Sequence, residues 1–153
     1  MIVVSDTSPI TSLLSIDLLE ILEKMYQRVI IPDAVYKELV EEHITLPAFI
    51  KIEHVRDKNY IDALKKELDE GEAEAIVLAK EKDADILLID EKKGRRIAER
   101  EGIAIIGLIG VLLAAEKKGF IKSVIEVISL LHKKAGFHIS ESLRDHIKRI
   151  SRK

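Results

Sequence analysis

The chain has 153 residues, 47% hydrophobic and 4% aromatic, which is enough for one domain with an aliphatic core, and we predict a single domain over 1–153. It contains no cysteine, which excludes disulfides and thiolate metal sites. The net charge of −2 is unevenly distributed, because residues 1–91 contain 10 basic and 21 acidic side chains and residues 92–153 contain 15 and 6. Such asymmetry indicates one of two things. The protein binds a polyanion, or the fold brings the two halves together and their charges only solvate the surface.

The N-terminal segment lacks the basic, apolar and cleavable parts of a signal peptide. The longest apolar stretch, 102–115, is interrupted by glycine and shorter than the roughly 20 residues that a membrane span requires. We therefore expect a cytoplasmic protein with no membrane contact.

Short aliphatic runs alternate with helical patterns along the whole chain. Because alternating strands and helices favour a parallel sheet covered on both faces, we predict an α/β fold in three layers with five strands. The strands are expected at 2–5, 29–31, 50–55, 86–89 and 103–106. The helices are expected near 7–14, 17–25, 33–39, 61–68, 71–79, 91–102, 107–118, 121–134 and 140–151.

Two of these helices have distinctive termini. The helix at 17–25 should begin at Asp17, with Glu20 as its capping-box partner. The last helix carries a basic outer face that includes Arg152 and Lys153.

Two of the predicted strands end in the same way. The first is closed by Asp6 and the fourth by Asp90. Because ligands bind outside the carboxyl ends of parallel strands, these carboxylates should converge if the strands are neighbours. The alternative is that Asp6 caps the turn at 7–8 and Asp90 caps the basic helix that follows it.

Further acids lie where helices should begin at the same edge. Glu38 flanks the apolar stripe of the third helix and could face either the sheet edge or water, and four acids fall within 69–74. Two of those four are explained by the helix dipole and capping, which leaves Glu72 and Glu74 further in. The carboxylates that we assemble into one site are Asp6, Glu38, Glu74 and Asp90.

Such a cluster contains oxygen ligands only, and this ligand type suits Mg²⁺ or Mn²⁺. These ions generate hydroxide and stabilise phosphodiester transition states, which predicts a metal-dependent nuclease. The chain has no P-loop, no three-glycine dinucleotide motif, no serine elbow and no histidines at metal-ligand spacing. The alternative function is a non-catalytic module that binds RNA or protein.

The chain resembles the PIN-domain nucleases, and among them the single-domain DUF3368 type. The resemblance covers nearly the whole chain and depends on the order of several short motifs. These are Val4–Ile10, Ile31–Leu39, Gly71–Ile76, Leu88–Asp90, Gly94–Ala98, Gly107–Leu112, Lys118–Gly119 and Gly136–Ser140.

This resemblance implies a sheet of order 3-2-1-4-5 and Mg²⁺- or Mn²⁺-dependent cleavage of single-stranded RNA. It implies metal-binding and catalytic roles for Asp6, Glu38, Glu74 and Asp90, with Thr7 and Ser8 hydrogen-bonding beside them. The third family acid is usually Asp. We prefer Glu74 there because Ala75 and Ala79 match the usual helix pattern, and Glu72 is the alternative.

The resemblance also implies partners. RNA phosphates should bind the basic helix through Lys92, Lys93, Arg95 and Arg96. Many family members resemble toxins of toxin–antitoxin pairs, so that an antitoxin protein and a homodimer are further expectations.

Overall fold

The computed structural model describes residues 1–151 and contains a five-stranded parallel sheet. The strands are β1 (Val3–Ser5), β2 (Val29–Ile31), β3 (Ile50–Ile52), β4 (Ile86–Leu88) and β5 (Ile105–Ile106). Their order across the sheet is β3-β2-β1-β4-β5, which confirms the predicted 3-2-1-4-5 topology.

Nine helices accompany the sheet within these described residues. They are α1 (Thr7–Ser15), α2 (Glu20–Tyr26), α3 (Asp33–Glu41), α4 (Lys58–Leu64), α5 (Glu70–Glu81), α6 (Lys92–Arg100), α7 (Leu108–Lys117), α8 (Val124–Ala135) and α9 (Glu141–Ile150). None of the helices within 1–151 is both long and apolar enough to cross a membrane.

Helices cover both faces of the sheet, and successive strand residues point to opposite faces, so both sets of strand side chains are buried. On β1, Val3 belongs to one apolar cluster and Val4 to the other, and both side chains are at most 1% exposed. The first cluster includes side chains of α1, α2, α3, α7, α8 and α9, and the second includes those of α4, α5 and α6. This arrangement confirms the three-layer α/β architecture.

The register of the central strands positions the carboxyl edge. Val3 of β1 pairs with Ile86 of β4, and Ser5 pairs with Leu88. The Asp6 N–H donates to the Leu88 carbonyl at 2.9 Å, so the pairing continues one residue beyond β1. The residues that follow β1 and β4 therefore lie side by side.

Some elements differ from the sequence prediction. The third strand is shorter than 50–55, and the fifth has only two residues. Asp17 does not begin a helix, because it adopts a left-handed φ of 56° in the turn before α2, which begins at Glu20. The predicted basic residues Arg152 and Lys153 lie outside the described residues.

The packing of α5 on the sheet gives a stability prediction. Ile76 is fully buried in the cluster that α5 shares with β1 and β4, so Ile76→Ala should lower the free energy of unfolding by about 2–5 kcal/mol. Ile52, which is 41% exposed on the edge strand β3, gives the control Ile52→Ala, with an expected loss below about 1 kcal/mol. Urea unfolding measures both, and equal losses would contradict this packing.

Candidate functional site

A cleft of about 310 Å³ opens at the carboxyl edge of β1 and β4. Its walls are formed by the residue after each of these strands and by the first turns of α1 and α5. The lining residues are Asp6, Thr7, Ser8, Thr11, Glu38, Asp69, Glu72, Asp90 and Glu91. Four different parts of the fold thus contribute carboxylates to one small space.

Three of the four assembled acids are brought together in this cleft. Asp6 follows β1 and is only 6% exposed, Asp90 follows β4 and is partly buried, and Glu38 is partly buried on α3. Glu38, for which the sequence left two orientations open, faces the sheet edge. The supporting residues Thr7 and Ser8 also line the cleft.

The fourth assembled acid, Glu74, does not line the cleft. Its Oε1 accepts a hydrogen bond of 3.0 Å from the N–H of Ala34 in the first turn of α3, where Glu74 fixes one helix against another. Residues two positions apart on a helix point about 200° apart, so Glu72 and Glu74 cannot face the same space. The structure places the alternative, Glu72, in the cleft, where it is 7% exposed.

Asp69 also lines the cleft, and the sequence analysis did not select it. It is the N-cap of α5, where its Oδ1 accepts the N–H of Glu72 at 2.8 Å and Glu72 Oε1 accepts the N–H of Asp69 at 3.2 Å. This is a capping box, and the spacing Asp69-x-x-Glu72 is the signal that could have identified it. Thr11 and Glu91 are further lining residues that the sequence analysis missed.

Gly71 allows the close approach of two acids to the start of α5. A Cβ atom at Gly71 would overlap Glu38 Oε1 and would lie 3.6 Å from Asp6 Oδ1. Because glycine has no side chain, Glu38 can contact the α5 backbone and stay within reach of Asp6. This contact explains why helix α3 can direct a long side chain into the cleft.

Asp90 is held in place by the start of α7. Its Oδ1 accepts the N–H of Leu108, the first residue of α7, at 2.7 Å. The alternative in which Asp90 caps the basic helix is therefore wrong, because Glu91 is the N-cap of α6 and the Asp90 side chain binds the first N–H of α7 instead. Arg95 lies beside Asp90, and Arg95 Nη1 donates to the Ile89 carbonyl at 3.0 Å.

The clustered acids have raised pKa values. Burial raises the pKa of Asp6 to about 7, and the charges of Glu72, Asp69 and Glu38 add to the effect, against the Thr7 N–H. Burial also raises the pKa of Glu38 and of Glu72, and the charge of Asp69 contributes to both shifts. Burial likewise raises the pKa of Asp90, while the Leu108 N–H and Arg95 act against it.

The predicted phosphate-binding residues separate into two groups. Lys92, Lys93 and Arg96 are exposed in the first two turns of α6, immediately after Glu91 of the cleft. Arg95 is partly buried and bound to the Ile89 carbonyl, so it supports the end of β4. Three of the four predicted residues are thus freely accessible beside the cleft.

A larger depression of about 800 Å³ lies beside the edge strand β3, and two of its acidic side chains already have partners. Glu53 forms an ion pair with Lys82. The Glu81 carboxylate accepts the N–H groups of Arg56 and Asp57. The cleft, in contrast, contains several carboxylates with raised pKa values and no lysine or arginine among its lining residues.

The donor chemistry of the cleft fits a divalent cation. All polar side chains that line it are carboxylates or hydroxyls, the oxygen donors that Mg²⁺ and Mn²⁺ prefer. Within residues 1–151, however, no three His, Asp or Glu side chains are arranged so that they could hold a metal ion as they stand. The residue types fit a cation, and their side chains would have to adjust to enclose one.

Comparison with known families gives a decisive match. Residues 2–153 match the family model DUF3368, which is described as a PIN domain. The chain belongs to the PIN-domain family. PIN domains are generally nucleases and typically use divalent metal ions, which agrees with the acid-lined cleft.

A solved structure supports the same fold. It is a PilT N-terminus domain protein, SSO1118, from the hyperthermophilic archaeon Sulfolobus solfataricus P2. The TM-score is 0.52 at 17% sequence identity, over 92% of this PIN domain and 99% of that chain. No curated protein matches the sequence.

The raised pKa of Asp6 gives a prediction for the metal-free protein. Between the ordinary Asp pKa of 3.8 and about 7, the folded protein binds a proton at Asp6 that the unfolded chain has lost, so stability falls as pH rises. Asp6→Asn cannot ionise, so it should not lose stability in this way. Above pH 7 it should be more stable than the wild type by up to about 4 kcal/mol, because the pKa shift spans about three units and each unit corresponds to about 1.4 kcal/mol.

Urea unfolding in EDTA from pH 4 to pH 8 measures this effect. The advantage of Asp6→Asn over the wild type should grow across the window and level off above pH 7. An advantage that is the same at every pH would contradict the raised pKa.

Proposed function

We propose that this PIN domain is a metal-dependent nuclease that cleaves phosphodiester bonds of single-stranded RNA. One observation carries the proposal: carboxylates from the ends of two adjacent strands and from two helices, Asp6, Asp90, Glu38 and Glu72, line one cleft. Like charges that are crowded in this way require a cation or a shared proton. A purely structural role would not require four acids from four elements at this edge.

The residues that would hold a Mg²⁺ or Mn²⁺ ion are Asp6, Glu38, Glu72 and Asp90. Glu72 replaces Glu74 in this set, because Glu74 is bound to Ala34 outside the cleft. A bound cation would supply an activated water and would neutralise charge on the phosphate that is attacked. The Thr7 and Ser8 hydroxyls, which lie beside Glu38 and Asp90, would help to orient these carboxylates.

The RNA strand would run from the cleft onto the start of α6. Lys92, Lys93 and Arg96 are exposed there, close to Glu91 of the cleft wall. Basic side chains at this place would bind the phosphates that flank the scissile bond and leave the base sequence unread. Binding should therefore weaken steeply as salt is added.

An antitoxin partner and a homodimer are also expected from the family resemblance, and both remain predictions.

Asp6→Asn tests the enzyme assignment directly. We expect the wild type to bind Mn²⁺ in calorimetry and to cleave a single-stranded RNA in the presence of Mn²⁺. Asp6→Asn should lose at least about 100-fold in cleavage rate while keeping its fold, because a neutral amide is a poor ligand for a hard cation. Asp62, exposed on α4 outside the cleft, provides the matched control Asp62→Asn, which should behave as the wild type.

The outcomes separate the candidate functions. Full Mn²⁺-dependent cleavage by Asp6→Asn would overturn the role of this carboxylate. Tight RNA binding without cleavage, from a wild type that does bind Mn²⁺, would favour the non-catalytic binding module. If the wild type fails to bind Mn²⁺ in the presence and absence of RNA, the metal site itself is excluded.

A second pair of variants distinguishes the two glutamates of α5. Glu72→Gln and Glu74→Gln each remove one charge and keep an oxygen that can accept the present hydrogen bond. Glu72→Gln should weaken Mn²⁺ binding about tenfold or more, whereas Glu74→Gln should leave it nearly unchanged. Calorimetric titration measures both, and the opposite order would restore Glu74 as the third acid.

A further inference from the structure

Asp69 lines the cleft beside the four acids that would hold the cation, but the proposed function gives it no role. It is the N-cap of α5, it lines the cleft, and its charge raises the pKa of Asp6, Glu38 and Glu72. It is exposed, so it is not needed to fill the core. Its capping hydrogen bonds are instead with Glu72, and they fix the position of that residue.

The capping box holds both the backbone and the side chain of Glu72. The Glu72 N–H donates to Asp69 Oδ1, which fixes the backbone of the first turn of α5. Glu72 Oε1 accepts the Asp69 N–H, which draws the carboxylate back over the helix start. The other oxygen, Oε2, lies near Gly94 of α6, where a Cβ atom would be 3.7 Å away. One oxygen of Glu72 is therefore tethered to the start of α5, and the other lies beside the first turn of α6, while the residue as a whole lines the cleft.

The same turn also supports the other acids. Gly71, between the two partners of the capping box, provides the surface against which Glu38 and Asp6 lie. If the first turn of α5 unwound, Glu72 would lose its tether, and Glu38 and Asp6 would lose a wall of their cleft. The first turn of a helix is stabilised chiefly by its cap, since its N–H groups have no partners within the helix.

We propose that Asp69 is a positioning residue of the cation site, which acts by capping α5 and thereby holding Glu72 within reach of a cation shared with Asp6 and Asp90. This inference rests on the proposed function, because it concerns the same metal site. Asp69 acts through its hydrogen bond to the Glu72 backbone, and its own carboxylate is not required as a ligand. A neutral residue that still caps the helix should therefore serve almost as well.

The experiment compares substitutions that differ only in capping. Asp69→Asn and Asp69→Ser keep an acceptor for the Glu72 N–H, and Asp69→Ala removes it, while all three remove the charge. Calorimetric titration of Mn²⁺ should give an affinity at least about tenfold weaker for Asp69→Ala than for Asp69→Asn or Asp69→Ser, as expected when a residue that orients a ligand is lost. Thermal unfolding verifies that every variant is folded at the titration temperature.

Asp57 provides a matched control on another helix. It is the N-cap of α4, where its Oδ1 accepts the N–H of Tyr60 at 3.0 Å, and it does not line the cleft. Asp57→Ala removes the same kind of cap and the same charge as Asp69→Ala. It should lower stability by a similar amount and leave the Mn²⁺ affinity equal to that of Asp57→Asn.

Amide hydrogen exchange adds a readout that does not depend on catalysis. Mn²⁺ should slow exchange at residues 70–74 in the wild type and in Asp69→Asn, and it should do so much less in Asp69→Ala. Equal Mn²⁺ affinities for Asp69→Ala and Asp69→Asn would overturn the positioning role, whatever the affinity of the wild type. A wild type that binds no Mn²⁺ would overturn the metal site and this inference with it, so the two failures are distinguishable.

Discussion

The parallel pairing of β1 with β4 is the constraint on which the cleft depends. The pairing is in register over three residues and is extended by the hydrogen bond from Asp6 to Leu88, so the carboxylates of Asp6 and Asp90 end at the same edge. A slip of one residue would turn every side chain of β1 to the opposite face and would break the hydrogen bond from Asp6 to Leu88. Burial of aliphatic side chains on both faces thus holds two like charges near each other against their repulsion.

The remaining acids are positioned by local features at the ends of helices. Glu72 is held by the capping box of α5, Asp90 by the first N–H of α7, and Glu38 by its contact with the α5 backbone at Gly71. Each feature holds its acidic residue at the wall of the cleft. Burial raises the pKa of all four acids and disfavours their ionised forms, and perturbed pKa values of this kind cluster at functional sites.

The sequence predicted those parts of the site that follow from local pattern. The aliphatic runs identified all five strands, and their positions placed Asp6 and Asp90 at the carboxyl edge before any family resemblance was used. The sequence preferred Glu74, whereas the structure places Glu72 in the cleft, because the difference depends on which side of α5 faces the cleft; the spacing from Asp69 to Glu72 was a readable signal for it. The hydrogen bond from Leu108 to Asp90 joins residues 18 apart, and no local pattern encodes it.

The dependence of Asp90 on α7 has a consequence for the order in which the protein is made. Within residues 1–151, every residue that lines the cleft precedes position 92, yet the hydrogen bond between Asp90 and Leu108 can form only after Leu108 has been added. During synthesis, a chain that has emerged only as far as α6 contains all of these acids but lacks the contact that orients one of them. Residues 92–151 contribute no lining residue, yet α7 supplies a contact to Asp90, so the geometry at Asp90 is completed only after α7 has been synthesised.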